Sequence, residues 1–118
     1  MKNKVKQVKL NIPIYDRTLI IIVTDNIEKS VLKCCPDDAE VTDYMLDGTL
    51  VHDEKGTMIL IIPPDANINS ICHEAFHIAI EVLGDAGLEL TDSSDEAYAY
   101  LIGWLAEEIE KILIKTKI

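Results

Sequence analysis

The segment from Ile68 to Leu83 constrains this chain most. It is helical in pattern and apolar on nearly every side, yet His73, Glu74 and His77 sit in its middle. Ile71, Ala75, Phe76, Ala79, Val82 and Leu83 leave no broad polar stripe, so the helix is expected to be buried rather than to lie on the surface. Asp65 or Asn67 can cap its start, and Gly84 and Gly87 close it. Three polar side chains buried there without partners would cost several kcal/mol, roughly, and a metal ion would satisfy them together. The plainer alternative is chance, because a lone histidine on an apolar face is usually a satisfied core residue.

Cys72-His73-Glu74-Ala75-Phe76-His77 contains His-Glu-x-x-His. Residues four apart on an α-helix lie on one face, about 6 Å apart along the axis. His73 and His77 are therefore expected to converge on one Zn²⁺ per chain, at about 2.0–2.1 Å from each imidazole. Glu74 lies about 100° around the helix from His73, within reach of a metal-bound water without being a ligand. It is the expected general base.

Elsewhere the pattern reads as strands followed by a second helix. Val8, Leu10, Ile12 and Ile14 alternate with Lys9, Asn11 and Pro13, and Pro13 marks an edge strand or an irregular strand end. Thr18 to Thr24 suits a strand buried on both faces. Asp25 is the expected cap of a short helix from Asn26 to Cys34, ended by Pro36-Asp37-Asp38. Strands at Glu40–Leu46 and Thr49–Asp53 flank Asp47-Gly48, a hairpin signal, and Lys55-Gly56 turns the chain into a strand over Thr57–Ile62. A last helix runs from about Ser94 to Lys115, with Leu101, Leu105, Ile109 and Ile112 inward. The order predicts one α+β domain over residues 1–118, with a sheet packed on two long helices.

Charge narrows the partners. With 21 acidic against 11 basic residues the formal net charge is −10, which disfavours nucleic acid and anionic membrane surfaces. No signal peptide is evident, and Leu19–Val23 is too short to span a bilayer, so a cytoplasmic protein is expected. Cys34, Cys35 and Cys72 form no Cys-x-x-Cys pair and read as buried or neutral thiols.

A catalytic zinc usually has three protein ligands. Glu81, Asp85, Glu89, Asp92, Asp95 and Glu96 follow the motif, and His52 is the remaining histidine. Glu81 shares the helix with the pair and could not easily close a tetrahedron. Glu96 suits the role best, at the start of the next helix, but Ser93-Ser94-Asp95-Glu96 is equally a capping box.

Eighteen residues separate His77 from Glu96, giving His-Glu-x-x-His-x18-Glu. This resembles the gluzincin clan of zinc peptidases, where the third ligand is a glutamate on a following helix. The aminopeptidase branch has this spacing, and thermolysin-like members a similar one. The short chain and Asp95-Glu96-Ala97-Tyr98-Ala99-Tyr100 are similar to minigluzincins and small phage-type metallopeptidases. The resemblance is strongest from about Ile68 to Leu105.

The resemblance implies a small twisted, mostly antiparallel sheet, an active-site helix beneath it and a glutamate helix alongside. It implies Glu96 as third ligand and a peptide or protein substrate. Thr57–Ile62 would be the cleft's edge strand, with Thr57, Ile59 and Ile61 contacting substrate by strand addition. Tyr100, one turn beyond Glu96, would orient a ligand or stabilise an oxyanion; otherwise it is a half-buried core tyrosine. Asp95 would bond a substrate amide or His73, or else sit at a helix start favoured by the dipole. Larger gluzincins carry a further helical subdomain that this sequence lacks, so a shallow site is expected. The competing functions are a metal-binding interaction module that hydrolyses nothing and an α+β structural protein without metal.

Overall fold

A computed structural model describes residues 5–35 and 47–116. Four strands, β1 (Val5–Ile12), β2 (Arg17–Thr24), β3 (Thr49–His52) and β4 (Met58–Ile62), form one sheet in the order β1-β2-β4-β3. Helices α1 (Ile27–Cys34), α2 (Ile68–Asp85) and α3 (Asp95–Thr116) pack on it. The class is α+β. β1 and β3 pair antiparallel with their neighbours, and only β2–β4 is parallel. A strand over 40–46 was expected; it lies outside the described residues.

Period-two alternation in β2 and β4 separates two apolar layers. Leu19, Ile21 and Val23, with Met58, Leu60 and Ile62, meet Ile71, Ala75, Ile78 and Val82 of α2 and Leu101, Leu105 and Ile109 of α3. Ile22, Ile59 and Ile61 point the other way, onto Ile27 and Val31 of α1. A central strand covered by helices on both faces reads as a continuous apolar run, as 58–62 does.

Several local expectations shift. β1 is an edge strand, but it stops at Ile12, because Pro13 has no N–H to donate. Ile14 lies in the following turn at φ 73°, 92% exposed, rather than continuing the alternation. Asn26, not Asp25, caps α1 by accepting from the Lys29 amide. Asn67 caps α2 through the Ser70 amide. Gly84 lies within α2, and Gly87, at φ 86°, takes the left-handed position just after it. In α3 the buried stripe runs Tyr98, Leu101, Leu105, Ile109 and Leu113, with Ile112 beside it.

The expectation that α2 is buried all round fails. Its inner face is buried, but Ile68, Cys72, Phe76 and Ile80 are exposed. Three layers leave a helix two sides at most to cover, and the described elements cover only one flank of α2 beyond the sheet. Among the described residues no helix is long and apolar enough to cross a membrane.

Candidate metal centre and cleft

His73 and His77 emerge one turn apart on the exposed flank of α2. Their Nε2 atoms approach to 3.2 Å, with ring planes at 73°. Two nitrogens held about 2.0–2.1 Å from a tetrahedral ion would lie about 3.3–3.4 Å apart. The pair therefore has the separation of two zinc ligands. Without an ion, one ring donates its proton to the other's lone pair.

Glu74 lies behind them and is 5% exposed. Its Oε2 is 3.9 Å from His73 Nε2, too far for a hydrogen bond, and the carboxylate makes no hydrogen bond with any described residue. Burial raises its pKa, and the His73 charge partly offsets this. The cover comes from Gly48: a Cβ there would touch Glu74 Cγ at 3.6 Å and Ile62 Cγ1 at 3.5 Å. Gly48 also has φ 131°, a conformation only glycine adopts readily, so this close passage over the Glu74 side chain favours glycine.

These three residues open into a cleft of about 720 Å³ between α2 and the 47–50 segment, which ends in the first residues of β3. The cleft's strand wall is thus β3, not the strand expected there. β4 pairs with β2 on one side and β3 on the other, so it offers no edge. Ile59 and Ile61 face α1, on the far side of the sheet from α2. The Thr57 amide donates to Asp53 Oδ1 within the β3–β4 turn. None of these three residues lines the cleft. The edge position that the gluzincin resemblance implies for Thr57–Ile62 thus falls to β3, because long-range pairing sets the sheet order.

Glu96 is exposed at the start of α3. Its carboxylate makes no hydrogen bond or ion pair with described residues and does not line the cleft. Among the described residues no group of three or more His, Cys, Asp or Glu is arranged to hold a metal. The capping box does not form either. Instead the Ser94 hydroxyl donates to the Glu89 carbonyl and accepts from the Thr91 amide. Tyr100 is 77% exposed, Asp95 is exposed, and neither lines the cleft.

Two groups escaped the sequence reading. Tyr98 is the buried tyrosine of α3, and its hydroxyl donates to the Leu88 carbonyl at 2.6 Å. Its place three residues before Leu101 on the apolar stripe was the available signal. The second group gathers around Glu81, one turn beyond His77. Glu81 meets His52 Nε2 at 2.6 Å and Arg17 at 3.1 Å, while Arg17 also holds Asp85 at 2.5 Å. Glu81 and Asp85 are thus occupied, and His52 serves the clasp rather than the His pair. Arg17 is the chain's only arginine, which was a signal too. No protein-family model, curated protein or solved structure matches the chain.

Proposed function

We propose that the protein is a zinc-dependent peptidase of zincin-like build, with His73 and His77 as metal ligands and Glu74 as general base. The observation that carries this reading is the 3.2 Å approach of the two Nε2 atoms above a buried carboxylate that lacks a hydrogen-bond donor. Zinc held there would bring the pKa of a water to about 7 and polarise a substrate carbonyl. Glu74 then accepts a proton at its carboxylate and returns it to the leaving amine. Its place beside His73 in the cleft wall suits that exchange, because the carboxylate makes no hydrogen bond with any described residue. The third ligand in this reading is Glu96, whose exposed carboxylate is engaged by no other described group.

The reading implies a peptide or protein substrate in the cleft between α2 and β3. Its test pairs zinc stoichiometry with hydrolysis of a peptide library. One zinc per chain is expected. Glu74→Gln should keep the metal and lose about two to four orders of magnitude in rate. Glu96→Ala should weaken zinc binding strongly; unchanged affinity would remove Glu96 from the ligand set. Less than about 0.2 equivalents of zinc after addition would overturn the metal reading as a whole.

A second reading is favoured by one observation: the described residues bring two ligands together rather than three. In a metal-binding interaction module, donors from a partner protein would complete the coordination that two ligands leave open. Zinc bound without hydrolysis of any library peptide would select it.

A further inference from the structure

We infer that the groove beside α2 is a site for peptide segments bearing lysine or arginine, seated toward the N-terminal end of that helix; the inference names the substrate class of the peptidase reading and rests on it.

The cleft does not end at the His pair. It shares Asp47 and Ser70 with a second hollow of about 710 Å³, which runs past the α2 N-terminus and takes in Asp25 and Asp65. From Asn67 to Glu81 this groove follows α2 for about 20 Å, room for roughly six residues of extended peptide.

Charge along the groove is uneven. At the far end Glu81 is paired with Arg17 and bonded to His52. At the near end Asp25, Asp47 and Asp65 are exposed, and none makes a hydrogen bond or ion pair with a described residue. No lysine or arginine lines either hollow among the described residues. Asn67 caps α2 and its first turn contains no acidic residue, so Asp25 and Asp47 are not capping groups of that helix.

The buried Glu74 carboxylate supplies an independent pointer to a ligand. It lines the same cleft, its Cγ is close to the Gly48 backbone beside Asp47, and it lacks a donor. A peptide along the groove offers N–H donors to Glu74 and cationic side chains to the three aspartates. Phosphate-bearing ligands would be repelled by the same charges.

Binding can be measured without catalysis, on the full chain stripped of metal, by fluorescence polarisation at low salt. The probes are labelled alanine-based octapeptides carrying three lysines, three glutamates or three glutamines. The lysine peptide should bind at least about ten-fold more tightly than the glutamate peptide, with the glutamine peptide between them and the preference shrinking as salt rises. Asp47→Asn with Asp65→Asn should reduce the preference to under about three-fold. Glu107→Gln with Glu110→Gln, an equal change of charge on the exposed face of α3, should leave it intact. Equal affinities, no measurable binding of any probe, or equal losses in both double variants would overturn the inference. Retained lysine preference without hydrolysis would sink only the peptidase reading, whereas hydrolysis of library peptides without lysine preference would sink only this one.

Discussion

Two polar groups lie on α2, Glu81 one helical turn beyond His77 and two beyond Glu74, and they are built on opposite principles. Around Glu81 every strong charge has a partner: His52 from β3, Arg17 from β2 and, through Arg17, Asp85. Around Glu74 a buried carboxylate has no hydrogen bond, and two imidazoles set edge to face bring their Nε2 atoms to 3.2 Å. A saturated network uses up its donors and acceptors on the fold. A network left open at a cleft keeps them for a ligand, and carries the desolvation cost meanwhile. The same residue types on the same helix thus separate into a clasp and a site by their partners alone.

The sharpest way to break this comparison is to remove a member of the open group. His77→Ala should lower zinc affinity about 100-fold or more, read by competition with a chelating dye, because losing a ligand exceeds the usual effect of losing a ligand's supporting partner. His52→Ala should leave zinc affinity within about two-fold, since that imidazole is committed to Glu81. Equal losses in the two variants would mean that the clasp also serves the metal.

The reverse asymmetry should appear in stability. Glu81→Ala leaves Arg17 and His52 without their shared carboxylate and should cost about 1–2 kcal/mol in urea titration, with zinc affinity retained. A smaller effect is expected at Tyr98. Its hydroxyl ties α3 to Leu88 in the loop after α2, so Tyr98→Phe should cost about 1 kcal/mol while the ring keeps its packing. No loss of stability in Tyr98→Phe would show that water replaces the bond.

What the sequence disclosed follows the same division. Period and run length revealed the central strands and both long helices, because apolar burial writes itself into local patterning at β2, β4 and α3. His73, Glu74 and His77 were legible because helix geometry alone brings them together. Sheet order was not legible. Whether Met58–Ile62 is central or peripheral depends on which strands flank it, and that is a long-range choice. For the same reason Thr57, Ile59 and Ile61 could be placed at a cleft they do not line. Glu96 also depends on long-range packing: x18 fixes distance along the chain, while the 86–94 connection decides where α3 begins and which way its first turn faces.

The smallest expected effect tests how firmly β3 is held over the clasp. Asp53 follows His52 directly, and its Oδ1 accepts from the Lys55 and Thr57 amides at 2.9 Å each. Those bonds close the β3–β4 turn, with Gly56 at φ 81° donating to the Asp53 carbonyl. The Thr57 bond, foremost among several hydrogen bonds, lowers the Asp53 pKa below the ordinary aspartate value. A carboxylate with a lowered folded pKa adds stability above its unfolded pKa and loses it as pH falls through the folded value. Asp53→Ala should therefore be slightly less stable than the parent at neutral pH, and the difference should narrow through the acid range below the ordinary aspartate value. Amide exchange at Lys55 and Thr57 should quicken in the variant while that at Ile71 and Ala75 of α2 stays slow. A deficit that persists unchanged into acid would show that the protonated Asp53 side chain holds the turn as well as the carboxylate does, whereas no deficit at any pH would show that the turn is held by its backbone bonds alone, leaving His52 positioned by Glu81 rather than by the hairpin.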